Sequence, residues 1–448
     1  MSNRYTIITC KNRIFKFKAD SLEDALNNYI EAVLGFDVNF SIKKEYWNTI
    51  NRFIKPIDTK IGFLNELCKI PANKISQIIL ESTSYPFAND DAIKYSLSED
   101  YSHASVDGHE DDIVNALISA SYDGIPVTTI NEGAFKNCTS LESVTIPNSV
   151  TTINGGVFEH CTSLTSVTIG NGVTSIGNGA FSGCTNLTNV IIPNSIATMD
   201  SYVFWGCTGL TSITLPFIGA SLDGTGKAHF GYIFGAADAS KNNKYVPASL
   251  KEVIITAPCN IIGNNAFKGC ANIESILIPD SVTSLGNSAF MNCTSLENIT
   301  IPNNITKINL SAFCGCTSLT SITIPDSVTS IDDLAFSYCN SLTSITIPNS
   351  VISIGDGTFD GCSNLQKIEV PNKISIISQN LFKDCVSLQE VILPASISII
   401  QSGAFDSCPE LTTINYAGTV PQWQSIIIES NNQYLNSATI RYNYESLV

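Results

Sequence analysis

Apolar and polar positions recur along most of the chain with a period of 23 residues. In each period Phe stands three positions before Cys, Leu or Ile three positions after it, and mostly β-branched residues six and eight positions after it. The segment L-x-x-V-x-I alternates at its end, which predicts a short strand with one inward face. One unit is too small to bury its apolar face, so the pattern predicts stacked turns joined by a parallel sheet. Eleven cysteines mark the turns: Cys138, Cys161, Cys184, Cys207, Cys270, Cys293, Cys316, Cys339, Cys362, Cys385 and Cys408.

The repeat is interrupted once, because Cys207 and Cys270 are 63 positions apart. A segment that begins at Leu250 still matches the strand positions of the repeat. The interruption therefore predicts one turn without its Cys, preceded by an insertion at residues 216–249.

These repeats resemble the BspA-like leucine-rich repeat family, most clearly in GAFSGCTNLTNVIIPNSI at Gly179–Ile196. Ser121–Phe135 is similar to the family's opening repeat, Leu215–Ala237 to an insertion between repeats, and Ile414–Ile426 to its closing repeat. The resemblance covers residues 113–448 and implies a leucine-rich repeat solenoid with its parallel β-sheet on the concave side. It also implies binding or adhesion, since the family is common in surface proteins of gut and oral bacteria and of mucosal protozoa. It brings no catalytic residues.

Residues 1–100 do not share the repeat and are predicted to form a small α+β domain that caps or attaches the solenoid. Tyr5–Ile8 and Arg13–Lys18 are predicted to pair as a hairpin, and helices are predicted at Leu22–Leu34, near Lys44–Ile54 and near Asn73–Glu81. The polar stretch that follows has no apolar periodicity, so residues 101–112 are predicted to be a linker before the solenoid at 113–448.

Composition and charge exclude several classes of protein. Hydrophobic residues make up 44% of the 448 residues and charged residues only 14%, which excludes a disordered chain. Residues 1–100 carry 13 basic and 13 acidic side chains, and residues 101–448 carry 11 and 27, so the net charge of −16 lies in the repeats. This acidity argues against nucleic acid as a partner. No membrane span is expected, and the first residues lack the apolar region of a standard secretory signal.

The residues that could carry chemistry fit structural roles better. One cysteine per turn on the core side favours a buried structural thiol over the alternatives of a disulfide or a metal ligand. His103 and His109 lie among acidic residues of the predicted linker, where a weak metal site is a minor alternative. No catalytic, cofactor-binding or metal-binding residue is predicted, and no cofactor is expected.

Two surfaces are candidates for partner binding. In the insertion we predict that Phe230 and Tyr232 contribute to binding while Phe234 belongs to the core. The alternative is that Phe234 takes the core position of the missing unit and the other rings pack beneath the loop. On the strands, outward Ser, Thr and Glu side chains could bind peptide or glycan, unless Thr is there only because it suits an exposed strand. The strand candidates are Thr165, Thr168, Glu274, Glu297, Thr320, Thr323, Thr343 and Thr346.

The sequence thus favours a non-enzymatic adhesion protein, at a cell surface or outside the cell, that recognises protein or glycan on another cell or host surface. The alternative is an assembly scaffold in the cytoplasm or in a virion, attached through residues 1–100. The sequence leaves the oligomeric state open.

Overall fold

The computed structural model describes residues 3–8, 14–19, 77–80, 92–110, 113–222 and 227–445, in two compact units, Met1–Phe87 and Ala88–Val448. In the first unit, β1 (Asn3–Ile8) pairs antiparallel with β2 (Ile14–Ala19) as predicted, and with β3 (Gln77–Leu80). The helix predicted near residues 73–81 is therefore wrong over β3, where three consecutive Ile and Leu side chains suit a strand. The helices predicted at 22–34 and 44–54 lie outside the described residues.

The second unit is a parallel solenoid of about 14 turns of roughly 23 residues. Most turns contribute one short strand to a first ladder and another to a second ladder, which the sequence did not predict. The first ladder contains β6 (Asn115–Leu117), β9 (Ser143–Thr145), β11 (Ser166–Thr168), β13 (Asn189–Ile191), β15 (Ser212–Leu215), β16 (Glu252–Ile255), β18 (Ser275–Leu277), β20 (Asn298–Ile299), β23 (Ser344–Ile345), β25 (Lys367–Glu369), β27 (Glu390–Leu393), β29 (Thr413–Tyr416) and β31 (Thr439–Arg441).

The second ladder begins with an antiparallel pair and continues in parallel. It contains β4 (Ile93–Leu97), β5 (Ala104–His109), β8 (Ile125–Ile130), β10 (Thr152–Ile153), β12 (Ser175–Ile176), β14 (Thr198–Met199), β17 (Ile261–Ile262), β19 (Ser284–Leu285), β21 (Lys307–Ile308), β22 (Ser330–Ile331), β24 (Ser353–Ile354), β26 (Ile376–Ile377), β28 (Ile399–Ile400) and β30 (Ile427–Ile428). A further strand, β7 (Ser121–Tyr122), pairs antiparallel with β8.

The core lies between the two ladders and consists of similar apolar residues stacked turn on turn. Val144 pairs with Val167 across the first ladder, and Ile153 with Ile176 across the second. The phenylalanines form a continuous column whose successive ring centroids are 5.0 to 6.2 Å apart. Because every ring in this column is fully buried, each turn is stabilised mainly by its two neighbours.

The turn around each Phe contains two left-handed backbone positions, which explains the recurrent glycines before Phe and Cys. Gly179, with φ of 63°, occupies the first of these positions in one turn. In another turn Tyr338, with φ of 56°, takes the second position and its ring lies over Gly361 of the next turn. A Cβ on Gly361 would lie 2.6 Å from that ring, so Tyr338 at this position requires glycine in the following turn.

The described part of the predicted linker, residues 101–110, instead forms the start of the solenoid. Strand β5 pairs with both β4 and β8, and its Ala104 and Val106 are fully buried. The ring of His109 stacks on Phe135 at 5.4 Å and so begins the aromatic column. The compact unit accordingly begins at Ala88 rather than near residue 113. The sequence pattern does not predict this strand, because its two buried residues are small and are flanked by polar ones.

The insertion leaves the first ladder unbroken, since β15 pairs in register with β16. It contains short 3-10 helices at Phe230–Phe234 and Ala239–Lys241, followed by α1 (Asn242–Tyr245). After β29 the chain forms α2 (Val420–Gln424) and a 3-10 turn at Gln433–Asn436.

Candidate functional site

The outward side chains of the first ladder form three columns, four, five and seven positions after each Cys, which together we call the first-ladder face. The predicted residues fall in its first and third columns. Exposed first-column residues are Thr165, Glu274, Glu297, Thr320 and Thr343. In the third column Thr323 and Thr346 are exposed and Thr168 is half-buried. The structure therefore brings the predicted strand residues onto one face, where they are spread along many turns rather than gathered at one point.

Some threonines of the first column form hydrogen bonds with the preceding turn. Thr165 Oγ1 donates to the backbone oxygen of Glu142 in the preceding turn at 3.1 Å, and Thr211 Oγ1 donates in the same way to Thr188 at 2.9 Å. These first-column hydroxyls use their proton within the solenoid and keep only acceptor capacity. Within the described residues, Thr323 and Thr346 of the third column make no such bond. Thr320 and Thr343 of the first column make none either, so hydroxyls free to donate lie in both columns of the described face.

Aliphatic side chains replace threonine at the centre of the third column. Ile191 of β13 and Leu277 of β18 are 62% and 58% exposed, and Ile254 of β16 is half-buried. We call these three residues the aliphatic row. These residues are not apparent in the threonine-rich turns, but they stand out when the position seven after Cys is compared across all turns.

Three carboxylates of the face lie beside the aliphatic row, at Glu252, Glu274 and Glu297. Glu274 forms an ion pair with Lys251 at 3.1 Å, and Ser212 Oγ donates to Glu252 at 2.8 Å. Glu297 follows Glu274 on the next strand and has no ion pair within the described residues. The central part of the face is therefore both apolar and acidic.

In the insertion, the prediction that Phe230 is a binding residue is wrong. Phe230 is fully buried, with its ring 5.0 Å from Phe267, and Phe234 continues the column 6.2 Å from Phe204. Both rings lie in the column between Phe204 and Phe267, because the 3-10 helix places them one after the other along it. Tyr232 is half-buried and packs against the core. Only the core role predicted for Phe234 is confirmed.

The column cysteines act as hydrogen-bond donors within the core. In nine turns the thiol donates to the backbone oxygen of the Phe 26 residues earlier, at 3.0 to 3.3 Å. All thirteen cysteines of the described ranges are free, and only Cys314, outside the column, is not buried. Burial raises the pKa of Cys161, Cys207, Cys362 and Cys408 to about 12. The hydrogen bonds favour the structural-thiol interpretation.

Other chemical features of the described residues are sparse. No three His, Cys, Asp or Glu side chains in these ranges lie close enough together to hold a metal ion. An open cleft of about 370 Å³ near β4 is lined by Tyr95, Glu99, Tyr101 and Tyr122 among others, but the rings of Tyr95 and Tyr122 stack on each other at 5.1 Å. None of the described helices is both long and apolar enough to cross a membrane.

Comparison with known proteins identifies the repeat. A leucine-rich repeat protein from Bacteroides ovatus is 23% identical, with a TM-score of 0.43 over 80% of this chain and 100% of that one. A leucine rich cell surface protein from Faecalibacterium prausnitzii is 25% identical, with a TM-score of 0.32 over 77% and 99%. No curated protein matches the chain. The family model of the BspA type leucine rich repeat region matches residues 125–230, 241–341 and 329–447, so the chain belongs to the BspA type leucine-rich repeat family.

Proposed function

We propose that this chain is a non-enzymatic binding protein that recognises protein or glycan partners through its first-ladder face. The observation that carries the proposal is the continuity of that face. Its first column runs from Glu142 to Thr412 and is exposed in every turn except at Lys251, which is half-buried. Stacked repeats create extended surfaces of this kind, which bind partners over several turns.

Family membership supports a role in adhesion, and the similar protein from F. prausnitzii is described as a cell surface protein. We therefore propose that the chain acts at a cell surface or outside the cell. Protease treatment of intact cells tests this location: loss of the protein supports it. Full protection, with release only after lysis, would favour the alternative of an internal scaffold.

The binding role is tested by the retention of the full-length chain on immobilised glycans and extracellular matrix proteins. The double variant Thr320→Lys/Thr343→Lys changes the first-ladder face and should weaken retention. The matched double variant Thr151→Lys/Thr174→Lys changes exposed threonines of the second ladder and should leave it unchanged. Thr151 and Thr174 lose a hydroxyl hydrogen bond to the preceding turn on substitution, so circular dichroism checks that each double variant remains folded. Equal loss in both double variants, or no retention of the unmodified chain, would contradict the proposal.

A further inference from the structure

The aliphatic row has a defined geometry across four neighbouring strands. Ile191 pairs with Thr214, Thr214 with Ile254, and Ile254 with Leu277. Since neighbouring strands are about 4.8 Å apart, the row extends over roughly 14 Å. This length corresponds to a few residues of a bound polypeptide.

Exposure of the row has no structural reason within the solenoid. In other turns the same position holds Thr300, Thr323 or Thr346, and the strands pair across it in the same way. Threonine suits an exposed strand, so Ile and Leu are not needed for the ladder. No described segment covers Ile191 or Leu277, and exposed aliphatic groups that lie together are typical of interaction sites.

The carboxylates beside the row indicate the charge of the partner. Glu252 lies two residues before Ile254, roughly 7 Å along the strand, and Glu297 lies on the strand that follows Leu277. Lys251, next to Glu252 in the chain, is already paired with Glu274, and Lys307, the cation nearest to Glu297 along the chain, is paired with Asp332. A second copy of the chain would bring like charges together, and nucleic acid would be repelled. The absence of aromatic side chains from the row disfavours sugar stacking.

We propose that the aliphatic row and the carboxylates beside it bind a segment of a partner protein that carries aliphatic side chains flanked by Lys or Arg. The aliphatic side chains of the segment pack on the row, and its cations pair with Glu252 and Glu297. This inference rests on the proposed binding function and gives the chemistry of the partner.

The test uses the full-length chain and three fluorescent ten-residue peptides, of alternating lysine and valine, lysine and serine, or glutamate and valine. Fluorescence anisotropy measures their affinities at low salt. We expect the lysine–valine peptide to bind at least about tenfold more tightly than either other peptide, because only it satisfies both the row and the carboxylates.

Variants locate the binding. The double variant Ile191→Thr/Leu277→Thr introduces the residue that other turns carry and should lower the affinity about tenfold. Its control, Ile352→Thr, removes a side chain that is 60% exposed on the second ladder and should have no effect. Glu297→Gln should weaken binding at low salt and have little effect at high salt, where the ion pair is screened.

Three results would overturn the inference: equal affinity for the lysine–valine and lysine–serine peptides, equal loss in Ile352→Thr, or no binding of any peptide. Circular dichroism of each variant shows whether it remains folded. Failure of this inference can be distinguished from failure of the proposed function, because retention on immobilised glycans and proteins is measured without peptide. Peptide binding at the row together with unchanged retention in the Thr320→Lys/Thr343→Lys variant would refute only the broader proposal.

Discussion

The buried thiols predict that the solenoid loses stability at alkaline pH. Burial raises the pKa of all ten column cysteines from Cys161 to Cys408 above the ordinary value of 9.0, and to about 12 for Cys362 and Cys408. The folded chain therefore keeps these protons at a pH where the unfolded chain has released them. The thiol contribution to stability is fully present below about pH 9 and is lost as the pH rises towards 12.

The size of this effect follows from linkage. At pH 10, one unit above the ordinary pKa, each buried thiol lowers the free energy of unfolding by about 1.4 kcal/mol relative to pH 8. Ten such thiols would together remove about 14 kcal/mol, divided among whichever turns unfold together.

Substitution isolates the thiols from other groups that titrate near pH 10. In the double variant Cys362→Ser/Cys408→Ser the hydroxyls can still donate to the carbonyls of Phe336 and Phe382, but they do not ionise. We expect the loss of stability between pH 8 and pH 10 to be about 3 kcal/mol smaller than in the unmodified chain. Urea unfolding followed by circular dichroism with a reductant measures both values. Equal losses would show that these thiols titrate alike in the folded and unfolded chain and would refute their burial.

Three further predictions concern the core. Gly361→Ala should lower the free energy of unfolding by about 2–4 kcal/mol, and Tyr338→Ala should restore part of it. Gly179 has a similar φ but no ring nearby, so Gly179→Ala should cost only about 1–2 kcal/mol. If urea unfolding shows no rescue by Tyr338→Ala, the contact is refuted. Phe290→Ala should cost roughly 3–5 kcal/mol and expose turns on both sides to hydrogen exchange, while Phe405→Ala should mainly expose the last turns; identical exchange patterns would contradict nearest-neighbour stabilisation. Among the cysteines in the described ranges, a thiol reagent should label the half-buried Cys314 first and the others only after unfolding. Intramolecular disulfides found by mass spectrometry would contradict the column of free thiols.

The sequence predicted those parts of the fold that repeat identically. Stacked turns place like residues on like residues, so the Phe and Cys columns and the first ladder are visible as a strict period. The second ladder was not predicted because most of its strands contain only two residues, too few to show alternation. Strand β5 was missed for a related reason, since only Ala104 and Val106 mark its inward face.

The binding surface could be predicted only in part. The outward position of Thr323 and Thr346 follows from strand alternation, and the structure agrees. Phe230 was assigned to the surface because two phenylalanines four positions apart competed for one place in the column, and only the path of the insertion shows that both enter it. Hydrogen bonding of the first-column threonines also depends on distances between turns, which a sequence does not contain.

Site-specific photocrosslinking tests most directly whether partners bind the first-ladder face. A benzophenone amino acid replaces Thr300, next to the aliphatic row in the third column, or Thr283, exposed beside the second ladder. The full-length chain carrying either label is incubated with immobilised surface proteins, irradiated and analysed by mass spectrometry. We predict crosslinks from position 300 that the lysine–valine peptide suppresses, and few from position 283. Equal crosslinking from both positions, or crosslinking only from position 283, would contradict binding through this face.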